Sequence, residues 1–133
     1  MIAAIDHVVL VAKDIAATLA FYRDVLGLEV LGEAEWKSGE RPFPSLKVGP
    51  TNMLNVHQAG QPVSPEAVNP QAGSEDLCFV WDGPIEGAVA RLTSKNVPIE
   101  IGPVKRRGAR GVMGTSVYFR DPDGNLLELM SYR

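Results

Sequence analysis

The chain is poor in the residues that announce the special classes of protein. It has one cysteine, Cys78, so no internal disulfide can form, and a disulfide-stapled scaffold is excluded. Cys78 lies in the apolar run Leu77-Cys78-Phe79-Val80, which predicts a buried structural thiol. No stretch approaches the ~20 consecutive apolar residues of a membrane helix. Positive charge is not in excess: 13 Lys and Arg stand against 16 Asp and Glu, a formal charge of −3. Such a balance is unfavourable for broad binding to nucleic acid or to anionic membranes. The opening Met1-Ile2-Ala3-Ala4-Ile5-Asp6 lacks the basic and apolar regions of a secretory signal. These absences predict a cytoplasmic protein with neither nucleic-acid nor membrane partner.

What is present is ordinary globular material. The 133 residues are 45% hydrophobic and 22% charged, enough for one domain with a core of its own. Residues 5–12, Ile-Asp-His-Val-Val-Leu-Val-Ala, read as a strand. Asp14 is placed to cap a helix, and Ile15, Leu19, Tyr22 and Leu26 fall on one helical face. Gly27 suits a left-handed helix end, and 28–31 reads as the next strand. Residues 33–42 are charged and irregular, which predicts a loop. Strands follow at 43–48 and 53–57, joined by the turn Gly49-Pro50-Thr51-Asn52.

After a Pro- and Gly-containing stretch the order repeats. Residues 76–81 read as a strand, and a helix starts near Pro84, with Ile85, Val89 and Leu92 on one face and Asn96 at its end. A short strand at 98–101, a basic glycine-rich loop at 105–114, a strand around 117–119, the turn Asp121-Pro122-Asp123-Gly124 and a last strand at 126–130 complete it. The expectation is an α+β fold of two tandem βαβββ modules, module one at 1–57, a linker at 58–73 and module two at 74–133, whose curved mixed sheet encloses a cleft.

Superimposing the modules lays Asp6-His7-Val8 over Glu75-Asp76-Leu77, and Met53-Leu54-Asn55 over Leu126-Leu127-Glu128. His7 then matches Asp76, and Asn55 matches Glu128. Each interrupts an apolar strand, and each alone has a plain structural explanation. Strand side chains alternate between faces, so four such residues at matching positions point to one shared polar cavity. His57, the only other histidine, shares a strand face with Asn55, about 6.6 Å further on. Two histidines and a carboxylate are the ligand set of non-haem Fe(II) and of some zinc sites. A second feature is Lys105-Arg106-Arg107-Gly108-Ala109-Arg110-Gly111. Either it is a solvated loop, or a mobile arm whose Arg107 grips an anionic substrate in a bidentate fork. Trp36, Phe43, Trp81 and Tyr118 are candidate pocket linings.

Two longer motifs carry a resemblance. Ile5-Asp6-His7-Val8-Val9-Leu10-Val11 with Phe21-Tyr22-Arg23-Asp24-Val25-Leu26-Gly27-Leu28 resembles the opening of the glyoxalase/bleomycin-resistance/extradiol-dioxygenase superfamily, the vicinal oxygen chelate proteins. Asp121-Pro122-Asp123-Gly124-Asn125-Leu126-Leu127-Glu128-Leu129 resembles its closing strand. Asn55-Val56-His57-Gln58-Ala59-Gly60 with Gly73-Ser74-Glu75-Asp76-Leu77-Cys78-Phe79 is similar to glyoxalase-domain and virulence-associated members.

The resemblance implies a divalent metal (Fe, Mn, Ni or Zn), a homodimer and a small-molecule substrate. It implies His7 and Glu128 as metal ligands, with Glu128 in the catalytic position. Asp76 stands where the family usually has histidine, and Asn55 where glyoxalase I has glutamate. The third ligand is then Asp76 or His57, and Asn55 joins Arg107 as a substrate contact. Two functions remain open: a metal-dependent lyase or dioxygenase acting on a small oxygenated compound, or a binding protein that sequesters a ligand, as bleomycin-resistance proteins do.

Overall fold

A computed structural model describes residues 1–61 and 63–133; Pro62, one of the linker prolines, lies outside them. The chain forms two compact units, Met1–Gly73 and Ser74–Arg133. None of its described helices is long and apolar enough to cross a membrane.

In the first unit the elements run β1 (His7–Ala12), α1 (Ile15–Asp24), β2 (Glu29–Leu31), α2 (Glu33–Ser38), β3 (Ser45–Val48) and β4 (Asn52–Gln58). Asp14 caps α1, its carboxylate accepting from the Ala17 N–H at 3.1 Å. Beyond the helix Gly27 takes the left-handed φ of 73°, and its N–H bonds to the Arg23 carbonyl at 3.0 Å. The strands form a sheet in the order β1-β4-β3-β2. β1 lies parallel to β4, and the other pairs are antiparallel.

Alternation sorts the strand residues cleanly. Leu10, Ala12, Leu46, Leu54 and Val56 are buried on one side, with Ile15, Leu19 and Tyr22 of α1. Burying each of the larger of these side chains stabilises the unit by about 2 kcal/mol. The opposite side carries His7, Asn55 and His57.

One expectation fails here. Residues 33–42 are not all loop, because α2 occupies Glu33–Ser38. It has no buried residue and no apolar face to betray it in sequence. Its supports are local: left-handed Gly32 and Gly39 at its ends, a Glu33–Lys37 pair at 3.5 Å and an Arg23–Glu33 pair at 3.4 Å. Module one therefore gains a helix over the expected βαβββ.

The second unit contains β5 (Asp76–Val80), α3 (Ile85–Ser94), β6 (Ile101–Arg107), β7 (Met113–Arg120) and β8 (Leu126–Ser131). Its sheet runs β5-β8-β7-β6, again with one parallel pair, β5 and β8. Leu127, Leu129, Val117 and Phe119 are buried together with Ile85, Ala88 and Leu92 of α3. Asn96 at φ 58° ends α3. The Asn96 N–H reaches the Thr93 carbonyl and the Val97 N–H the Leu92 carbonyl, the paired bonds of a Schellman cap.

The expected strand at 98–101 and basic loop at 105–114 are corrected together. β6 begins at Ile101 and runs to Arg107, so the basic residues are strand, and the turn shrinks to residues 108–112. β6 is an edge strand, almost wholly exposed. Lys and Arg on such an edge blunt intermolecular pairing, and they also erase the apolar alternation that marks a strand.

Candidate functional site

The register of the two parallel pairs places the polar residues. In the first unit His7 pairs with Met53, Val9 with Asn55 and Val11 with His57. In the second, Asp76 pairs with Leu126 and Cys78 with Glu128. His7 and Asp76 therefore occupy the same rung of their sheets, as do Asn55 and Glu128. Paired residues of adjacent strands face the same side. His7, Asn55 and His57 thus share the face of the first sheet opposite α1, and Asp76, Cys78 and Glu128 the face of the second sheet opposite α3.

His7 is half-exposed, and its Nδ1 lies 2.8 Å from Asp6 Oδ1. A carboxylate accepts, so the shared proton sits on Nδ1, and Nε2 keeps its lone pair for a ligand. A carboxylate that orients an imidazole in this way is the usual support of a metal-ligating histidine.

His57 is not brought to His7. Four rungs separate them, about 13 Å along the sheet, whereas one ion takes each nitrogen at about 2.1 Å. His57 has its own setting. Its ring lies against Phe43, centroids 4.4 Å apart, and its Nε2 is buried without a hydrogen-bond partner among the described residues. Burial holds its pKa below the usual 6.5; Glu66 opposes this and His7 adds to it.

Asn55 is buried and already engaged. Its Oδ1 accepts from Ser45 Oγ at 2.6 Å, and Ser45 Oγ accepts from Arg41 Nη2 at 2.7 Å. Ser45 pairs with Asn55 across the β3–β4 ladder. Arg41 also lies over the Phe43 ring, 5.7 Å from its centroid. Neither Arg41 nor Ser45 emerged from the sequence reading. Ser45 is legible by the rule that found Asn55, a polar residue interrupting an apolar strand; Arg41 lies in irregular chain and has no such signal.

In the second unit Glu128 lies between Cys78 on β5 and Tyr118 on β7. Tyr118 is its rung partner on β7, and Arg106 Nε donates to the Tyr118 hydroxyl at 3.2 Å. Partial burial first, then Glu128 and then Asp76, push the Cys78 thiol up to about 12. Burial also raises Tyr118, with Arg106 opposing and Glu128 adding. The expectation of a buried thiol is corrected: Cys78 is exposed, because alternation turns it away from α3 while Leu77 and Phe79 turn toward it. Arg107 ends β6, and its Nη1 donates to the Gly111 carbonyl across the turn.

Among the described residues, no three His, Cys, Asp or Glu side chains are grouped so as to hold a metal ion. The donors fit such an ion individually, His7 through its oriented nitrogen and Glu128 through a carboxylate on the face opposite α3.

Known proteins place this architecture. The chain is 38% identical over 128 residues to virulence protein STM3117 of Salmonella typhimurium, covering 96% of this chain and 83% of that protein. It is 40% identical over 129 residues to the glyoxalase domain-containing protein RDO1 of Mycosarcoma maydis, covering 97% of this chain and 68% of that protein. Among solved structures, an integron cassette protein from the mobile metagenome of V. cholerae superimposes with a TM-score of 0.88 at 40% identity, covering 100% of this chain and 98% of that one. A lactoylglutathione lyase from Agrobacterium tumefaciens follows at 0.70 and 27%, covering 99% and 96%. The antibiotic-binding protein TnmS3 from Streptomyces shares the fold at 0.74 and 20%, covering 98% and 96%. Residues 4–129 match the profile of the Glyoxalase/Bleomycin resistance protein/Dioxygenase superfamily, and the chain belongs to that superfamily.

Proposed function

We propose that the chain is a metal-dependent vicinal oxygen chelate enzyme of lyase or dioxygenase type, cytoplasmic and homodimeric, acting on a small oxygenated anionic compound. Its metal ligands in this reading are His7, Glu128 and Asp76. The observation that carries it is the orientation of His7, whose Nδ1 is held by Asp6 so that Nε2 is open to a cation. An imidazole nitrogen with carboxylate oxygens suits Fe, Mn, Ni or Zn better than Ca. Such an ion would stabilise negative charge developing on two neighbouring oxygens of the substrate.

The chain's own groups have separate tasks. Asp6 fixes the His7 tautomer. Cys78 and Tyr118 flank Glu128 on its two neighbouring strands. Asp76 supplies the third donor, since His57 lies four rungs from His7.

Elemental analysis tests the reading. Wild-type protein is expected to carry a stoichiometric transition metal, and His7→Ala and Glu128→Gln to lose it. Wild-type metal content in both variants overturns the ligand set. A second reading, ligand sequestration without metal, draws on Asn55, whose carboxamide oxygen is committed to Ser45 where a ligating glutamate would be free. Wild-type protein that takes up none of Fe, Mn, Ni or Zn supports sequestration.

A further inference from the structure

Arg41 is a half-buried cation with no ion-pair partner among the described residues. Ion pairs join Arg23, Lys37, Arg120, Arg133 and His7 to carboxylates, and none among the described residues reaches Arg41. Removing a guanidinium from water without a partner is costly, yet this one is held firmly. Nη2 donates to Ser45 Oγ, itself fully buried, and the group lies over the Phe43 ring. Gly32, at φ 71°, completes the seat: a Cβ there would overlap the guanidinium. A guanidinium has five N–H donors and no acceptor, so four remain beyond the one given to Ser45.

The same chain of bonds sets Asn55. With Oδ1 accepting from Ser45, the amide group of Asn55 presents two Nδ2 hydrogens that have no acceptor among the described residues. Ser45 thus fixes a charged planar fork and, with the Asn55 oxygen turned to Ser45 Oγ, a neutral N–H donor beside it. Such a set recognises an oxyanion. We propose that Arg41 and Asn55, locked together through Ser45, form an oxyanion-binding subsite for a small ligand bearing a carboxylate or phosphate group. The inference rests on the reading of the substrate as an anionic compound, and it assigns the recognition to Arg41 rather than to Arg107.

The test titrates full-length protein with sodium benzoate and, separately, with inorganic phosphate. Binding is followed by calorimetry and by the amide and arginine Nε–H resonances. Wild-type protein is expected to bind at least one probe. Preference for benzoate identifies a carboxylate subsite, and preference for phosphate a phosphate subsite. Arg41→Ala is expected to weaken binding at least about tenfold, and Arg41→Lys less, because it keeps the charge but loses the fork. Ser45→Ala is expected to weaken it severalfold with rescue by Ser45→Thr, as a positioning residue requires. Arg107→Ala should titrate as wild type.

Absence of binding by the wild type, or Arg41→Ala binding as wild type does, overturns the proposal. If circular dichroism shows Arg41→Ala unfolded, Arg41→Gln takes its place. Metal content is measured on the same samples. Metal-free protein with Arg41-dependent anion binding removes the metal-enzyme reading and leaves the subsite; metal-loaded protein indifferent to Arg41 does the reverse.

Discussion

Glu128 shows how one residue sets the chemistry of the two beside it. Its carboxylate lies beside Cys78 on β5 and Tyr118 on β7, and its negative charge opposes the ionisation of both. For Cys78 the consequence is measurable. An ordinary thiol has a pKa of 9.0, and this one is pushed up to about 12. At pH 8 that leaves on the order of 10³ less thiolate, and only thiolate is nucleophilic. Cys78 is therefore expected to react slowly with iodoacetamide although it is exposed, with a rate still rising above pH 9. Glu128→Gln removes the neighbouring negative charge, so the pKa falls and alkylation at pH 8 should speed up at least about tenfold. A wild-type rate equal to that of free cysteine would remove Glu128 from contact with the thiol.

At the scale of elements, the turn before β8 sets the register on which Glu128 depends. Asp121 Oδ1 accepts from the N–H groups of Asp123 and Asn125 at 2.9 and 3.0 Å, and its Oδ2 from Asn125 Nδ2 at 2.8 Å. Asn125, fully buried, passes the connection on: its Oδ1 accepts from the Glu75 N–H at 2.8 Å, just before β5. The start of β8 is thereby tied to the start of β5. Asn125→Ala removes the side-chain bonds of a fully buried residue to Asp121 and Glu75, and should cost about 3 kcal/mol. Chemical denaturation checks this; a loss below 1 kcal/mol would show that strand pairing alone holds the register.

The same turn explains what was legible in the sequence. Asp-Pro-Asp-Gly is turn chemistry in any context, and apolar alternation marks strands buried on one face. The repeat and the matching of His7 with Asp76 and Asn55 with Glu128 follow from those two signals. α2 and the extent of β6 did not, because both are exposed elements held by caps, ion pairs and ladder bonds that leave no apolar period. The Arg41–Ser45–Asn55 chain joins irregular chain to two strands, and only folding brings it together.

For the whole molecule the open question is what covers the sheet edges. Each four-stranded sheet ends on two edge strands that have a neighbour on one side only, β1 and β2 in the first unit, β5 and β6 in the second. β6 is protected by Lys105, Arg106 and Arg107, charges that resist pairing with another strand. β1 and β5 have no such run: past His7, β1 reads Val-Val-Leu-Val-Ala, and past Asp76, β5 reads Leu-Cys-Phe-Val. Val80 of β5 is 57% exposed, and Ile101 and Met113 of the β6–β7 hairpin are about half exposed as well. Apolar surface on a sheet edge is stabilised by burial against a second copy. The expected particle is a homodimer, sedimenting at twice the 14.4 kDa of one chain at micromolar concentration. Val80→Lys should shift it toward monomer without unfolding it, since the residue lies outside the core. A wild-type mass of one chain under those conditions would mean that these edges are tolerated bare.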